Sequence, residues 1–213
     1  MQRHTPSPPG ATKQLYSRAG FREEHKAAAL RHGAPAIAYG ADDATALCMA
    51  GFAMALVSRD FDAGISAIDR LLALNTSYAA GFAHSAILRS FVAQYETAIE
   101  HAQRAIRLNP LDPMGAHSYL SLVFAYLPLG RFEEAAAAAT KAVQLNPKFS
   151  IAHAMQIVTL VKLERMEAAR AAAGRLLELL PEFNVDMLTK VAGAPSNILA
   201  DWAEALRGAG IPG

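Results

Sequence analysis

Arg131-Phe132-Glu133-Glu134-Ala135, with Leu145-Asn146-Pro147 about fourteen residues after it, decides how this chain folds. An aromatic residue, acidic residues and a small residue open the stretch, and a helix-ending phrase closes it. The same texture recurs at Asp60-Phe61-Asp62-Ala63 before Leu74-Asn75, and at Gln94-Tyr95-Glu96-Thr97-Ala98 before Leu108-Asn109-Pro110. It recurs again at Arg165-Met166-Glu167-Ala168-Ala169 before Leu180-Pro181. Phe61 to Tyr95 is 34 residues, Tyr95 to Phe132 is 37, and Phe132 to Met166 is 34 again. A unit of this length cannot bury its apolar face alone, so the period predicts an all-α solenoid of stacked antiparallel helix pairs. In such an array function resides on a surface rather than in a reaction centre.

Composition agrees and excludes several classes. Of 213 residues, 53% are apolar and 18% charged, too apolar for a disordered chain. The net charge is +1, with Arg and Lys scattered among Asp and Glu. That leaves no clustered basic surface to neutralise phosphates, so no nucleic-acid partner is expected. The one cysteine, Cys48, has no internal partner, which suits a reducing, cytoplasmic setting. Residues 1–13 carry prolines and charge but no apolar core, so no signal peptide is read. Residues 71–88 and 113–130 are uncharged but contain Asn, Ser, His, Thr, Pro or Gly where the repeat demands a buried helix; no membrane span is expected.

Aligned on the period, residues 45–183 divide into four units, 45–78, 79–112, 116–149 and 150–183, each a first helix, a short turn and a second helix. The first helices are nearly charge-free, as over 44–58 and 78–87. The second helices carry their charges on one stripe, as at Glu100, Arg104 and Arg107, with Glu100 and Arg104 at a supportive i,i+4 spacing. Asp112-Pro113 reads as an N-cap followed by a first-turn proline, and Ser77 and Ser150 as caps of the second and fourth units. Asn109-Pro110 and Asn146-Pro147 stop the second helices. Three extra residues around 111–113 and a proline, Pro128, expected late in the third unit's first helix, predict a local change of pitch with a kink.

Small residues recur where the two helices must touch: Gly64, Ala98, Ala135 and Ala169 at the start of the second helix, Ala105 and Ala142 one turn before its end. With Tyr126, Gly130 and Pro147 in the third unit, these positions resemble those of the tetratricopeptide repeat family, across about two-thirds of the chain. The first unit departs at Leu71 and Thr76, where the family prefers Ala and Pro. The resemblance implies a right-handed superhelix. Residues 1–22 read as disordered, and 23–41 as a degenerate half-repeat whose first helix is missing. Residues 184–213 read as capping helices, one near Val185–Val191 and, after Gly193-Ala194-Pro195, a last one capped by Ser196 and ended by Gly208.

Chemistry is scarce. The chain has no Gly-rich phosphate loop, no His-Glu-x-x-His pair and no Gly-x-Ser-x-Gly turn, so an enzyme is not expected, nor any cofactor. His84, His117 and His153 fall on the first helices of successive units, with no acidic or cysteine partner in the pattern; they read as partly buried structural histidines rather than metal ligands. Cys48 reads as a small core residue, which only a nearby base would make a nucleophile.

Tetratricopeptide arrays line a concave groove with first-helix side chains. Carried over position by position, the resemblance gives Ala46, Met49, Ala53, Leu56 and Val57; then Ala80, Ala83, Ile87, Ser90 and Phe91. The third unit gives His117, Leu120, Phe124, Leu127 and Pro128, and the fourth Ile151, Ala154, Val158, Val161 and Lys162. This trough is apolar and lacks the Lys, Arg and Asn clamp that family members use to hold a peptide's C-terminal carboxylate. Three occupants suit it: a hydrophobic peptide or amphipathic helix from a partner, the chain's own ends such as residues 198–206, or a second copy in a homodimer.

Two functional readings follow. One is a non-catalytic scaffold that binds protein. The other is the terminal module of a larger signalling protein. Asp42-Asp43-Ala44-Thr45-Ala46-Leu47, Leu108-Asn109-Pro110-Leu111-Asp112-Pro113 and Ala205-Leu206-Arg207-Gly208-Ala209-Gly210-Ile211-Pro212 resemble C-terminal arrays of bacterial class III nucleotide cyclase or winged-helix regulatory proteins. No part of the chain resembles a cyclase core, so no cyclase activity is implied.

Overall fold

The computed structural model describes residues 48, 51, 52, 55, 56, 58–110, 115–191 and 194–213. The expectations for 1–22, 23–41 and the extra residues at 111–113 lie outside them, as do Asp112-Pro113. Among the described residues there is no strand. The helices run α1 (Phe61–Leu74), α2 (Ala79–Phe91), α3 (Tyr95–Leu108), α4 (Gly115–Tyr126), α5 (Phe132–Leu145), α6 (Ser150–Lys162), α7 (Met166–Leu179), α8 (Val185–Val191) and α9 (Ser196–Gly208). The described residues from 48 to 58 are helical, and Gly51 and Ala55 among them lie against Gly64 of α1, as the first helix of the first pair requires.

Each helix packs on the next, α1 on α2, α2 on α3, and so on to α7. The first helices of neighbouring pairs also touch, α2 with α4 and α4 with α6, whereas contacts between second helices are marginal at most among the described residues. The first helices therefore form the inner face and the second helices the outer one. Burial follows. Nine of the thirteen residues of α2 are buried, but in α3 only Ala98, Ile99, Ala102 and Ala105 are, a single stripe at helical spacing.

Close approach explains the small residues. A Cβ on Gly64 would lie 2.5 Å from the Ala55 Cβ and 3.1 Å from the Gly51 carbonyl oxygen, so only glycine admits this crossing. Ala98, Ala135 and Ala169 are wholly buried at the equivalent sites.

Helix ends partly differ from the sequence reading. Asn75, Asn109 and Asn146 are C-caps, as their proline or turn context implies. Ser77 and Ser150 are not N-caps: Tyr78 and Phe149 occupy those positions without a side-chain capping bond. The preceding turns are organised instead by asparagine. Asn75 Oδ1 accepts from the Ser77 amide at 3.1 Å, and Asn146 Oδ1 from the Lys148 amide at 3.2 Å. Ser196 is likewise inside α9, whose N-cap is Pro195. Gly208 is the last residue of that helix, and the left-handed residue after it is Gly210, with φ of 98°. Pro128 does not kink a helix. Helix α4 stops at Tyr126, and Pro128 lies in the turn that follows, where its missing amide hydrogen interrupts no helical ladder.

Every turn between the two helices of a pair uses one left-handed residue, two places before the second helix: Arg59 at φ 61°, Ala93 at 60°, Gly130 at 70° and Glu164 at 59°. Only the third unit supplies glycine there. Beyond α7 the chain does not simply stack onward. Helix α8 packs on α9, and α9 returns to lie against α6. The tail is tied down where the Val185 amide donates to the Pro212 carbonyl at 2.9 Å, with Ala209 and Ile211 buried.

Candidate functional site

The inner face is built from helices whose side chains on that side are almost all apolar. Leu56, Ala83, Ile87, Phe91, Leu120, Phe124 and Val158 are all buried, Ile87, Leu120 and Val158 at 0% exposure. His117 and Lys162 are half-buried. Met49 and Ala53 fall outside the described residues.

A chain of aromatic contacts starts at Phe61, the first residue of the second helix α1, and continues along this face. Phe61 meets Phe91 edge-on at 5.9 Å, Phe91 meets Phe124 at 5.5 Å, and Phe124 stacks on Trp202 of α9 at 5.2 Å and 18°. Such offset contacts add to the gain from burial. Beside them Lys162 of α6 is ion-paired with Asp201 of α9. At the other end of the same segment, Arg59 Nη1 donates to the Ala194 carbonyl at 3.4 Å. Residues 194–208 thus touch the first, third and fourth units. The sequence marks Phe124 and Lys162 as lining residues; their partners Trp202 and Asp201 carry no repeat signal.

The histidines have different environments. His84 has a cysteine partner after all: Cys48 Sγ lies 3.2 Å from its Nδ1, and Phe52 stacks on its ring at 4.2 Å. The residues are 36 positions apart, on the first helices of adjacent units, so only the superhelix brings them together. Burial pushes the Cys48 thiol up to about 12. Burial, then the nearby His117, pushes His84 down to about 3. Both shifts favour neutral forms, so the pair is a thiol beside an imidazole and not an activated thiolate. His117 packs on Phe149 at 4.7 Å, and His153 Nε2 bonds the Pro147 carbonyl at 2.9 Å. No cluster of three His, Cys, Asp or Glu side chains that could hold a metal ion occurs among the described residues.

A polar network joins the first two pairs. Arg89 places one amino group 2.8 and 2.6 Å from the two Asp69 carboxylate oxygens, and its Nε donates to Ser85 Oγ at 3.1 Å. His101 Nδ1 lies 3.0 Å from the same hydroxyl. Ser85 is wholly buried, so this serine–histidine contact offers no nucleophile to a substrate. Arg104 does not pair with Glu100 as its spacing suggests. It donates to the Thr76 carbonyl at 2.9 Å and covers the Phe82 ring at 4.4 Å. On the outer face a shallow open cleft is lined by residues including Glu133, Thr140, Lys141 and Arg165. No described helix is long and apolar enough to cross a membrane.

These helix pairs, their inner face and their period define an α-solenoid. Residues 116–149, the third unit, match the tetratricopeptide repeat family model. The chain is 30% identical over 93 residues, 44% of its length, to small glutamine-rich tetratricopeptide repeat-containing protein 2 of Mycosarcoma maydis, and spans 26% of that protein. Its fold is similar to that of TTC0263, a thermophilic TPR protein of Thermus thermophilus, with a TM-score of 0.68 at 19% identity, covering 92% of this chain and 95% of that one. It is also similar to YrrB, described as a TPR protein with an unusual peptide-binding site, with a TM-score of 0.54 at 16% identity, covering 83% and 90%.

Proposed function

We propose that this protein is a non-catalytic scaffold, working in the cytoplasm, that engages an apolar peptide or amphipathic helix along the face formed by its first helices. The observation that carries the reading is the aromatic contact between Phe91 and Phe124 on that face, with an apolar helix laid over Phe124. Lysine and arginine are scarce there, so shape and burial rather than charge select the occupant. The peptide-binding site described for YrrB supports the reading by analogy of fold.

The test compares co-purification by the intact chain with that by Phe124→Ala and Lys162→Glu, each checked for native helicity, against the outer-face control Glu133→Ala. Loss of one protein from both inner-face variants, with retention by the control, is the expected result. Equal retention by all of them moves the functional surface elsewhere.

A second reading makes the array a regulatory or oligomerisation module of a larger cyclase-type or winged-helix signalling protein. It rests on the sequence phrases alone. An in-frame upstream coding sequence for such a domain supports it, and a different upstream gene removes it.

A further inference from the structure

Helix α9 sits where the proposed partner would bind, and it shows the chemistry that fits. It turns Trp202, Ala203, Ala205 and Leu206 inward, with Ile198 and Leu199 half-buried beside them. Trp202, 2% exposed, meets Phe124 of the third unit. Asp201, immediately before it, meets Lys162 of the fourth. Beneath it Phe124 also packs on Phe91, and Val158 and Leu120 belong to helices held by their own pairs.

Apolar burial, chiefly of Trp202 and Leu206, holds α9 down, and its polar attachments add little. The Lys162–Asp201 pair is partly exposed, at 30% and 48%, and ion pairs near the surface contribute little. The Arg59–Ala194 bond, at 3.4 Å, is long. The N-cap of α9 makes no side-chain bond, and a helix of 13 residues is marginal on its own.

We infer that α9 is a built-in ligand of the inner face, and that the external partner is an amphipathic helix of the same design: an aromatic anchor for Phe124 preceded by a carboxylate for Lys162. This inference rests on the scaffold reading and names its partner class. Binding is then an exchange. The partner's apparent affinity is its intrinsic one multiplied by the fraction of molecules with α9 lifted, so a strap closed 99% of the time weakens apparent binding about 100-fold.

The chain contains a single tryptophan, Trp202, so its emission reports α9 alone. The probe is a synthetic peptide of residues 194–213 carrying Trp202→Phe, which is silent at tryptophan wavelengths. Added to the full-length protein, it should shift the emission to the red as Trp202 enters water. The full-length variant Asp201→Lys, which sets two ammonium groups against each other, should bind the same peptide about tenfold more tightly or better. A peptide with Trp202→Ala should displace nothing. The inference is overturned if the peptide binds both proteins equally, or if it binds neither while both remain helical. It is also overturned if light scattering shows that the unliganded protein is a dimer that dissociates in Asp201→Lys, since the occupant is then a second copy. A partner that is lost from Phe124→Ala but binds wild type without moving Trp202 emission leaves the scaffold reading intact and removes this one.

Discussion

Acidification acts on His84. Burial lowers its folded value to about 3 from an ordinary 6.5, so the unfolded chain binds the proton more readily than the folded one. Stability is therefore unaffected above neutrality and falls as the pH drops below about 6.5, the slope persisting until the folded value is reached. By about pH 4.5 the loss should be about 2–3 kcal/mol from this residue. Urea titrations of the wild type and of His84→Phe at pH 7 and about pH 4.5 check this. The variant should lose clearly less on acidification, and parallel losses would assign the effect to other groups such as His101, whose own value burial and Arg89 also lower. Residue-scale features of this kind were only partly legible in the sequence. Cys48 reads correctly as a core residue, but its contact with His84 depends on how two units stack, and the repeat pattern carries no signal for a single pair of side chains.

Elements were more legible, because helix boundaries depend on nearby residues. The starts of α1, α3, α5 and α7 fall on Phe61, Tyr95, Phe132 and Met166, the residues that set the period. What the sequence reading missed is the left-handed turn residue shared by all four pairs. It was visible as a register, two places before each of those starts, but only Gly130 has the composition that draws attention to it. Ala93 is exposed, so a glycine there loses no packing and removes the steric cost of a left-handed alanine. Ala93→Gly should raise stability by about 0.5–1 kcal/mol, the gain being trimmed by the freer unfolded chain. Gly130→Ala meets nothing within 4 Å and should lose about 1–2 kcal/mol through φ alone. Thermal melts of the two variants moving in opposite directions is the expected outcome; a fall in both would mean that the turn is held by contacts rather than by backbone preference. The serine caps failed for a related reason. A hydroxyl one residue away from the cap looks as suitable in the sequence as one at it, and here asparagine had already organised the turn.

At the scale of the molecule, a solenoid passes stress only between neighbours, so damage at one end should stay near it. Ile211, 3% exposed, packs in the tail beside the Val185–Pro212 bond. Ile211→Ala should cost about 2–4 kcal/mol locally. Hydrogen exchange should show faster amides in α8 and α9, smaller changes in α6 and unchanged protection in α2 and α3. Uniform acceleration along the chain would show that the array unfolds as one unit. The helix-pair architecture was legible because the same local pattern is written four times. The return of the tail was legible only as one of three occupants suited to the trough, residues 198–206, because what sets its direction, Trp202 meeting Phe124 across some eighty residues of sequence, carries no repeat signal.

That return gives the chain a distinctive response to force. In a linear stack, tension applied at the two ends would be carried in series by every helix pair. Here a pull at the C-terminus passes first through α9, which lies back over α6 and α4, so the load meets this one helix before it meets any pair. Peeling residues 194–213 from the inner face would release roughly 65–70 Å of slack at full extension, with the four stacked pairs still closed. The segment that covers the inner face is then also its mechanical fuse, and a tether at the C-terminus would bare Phe124 without unfolding the array.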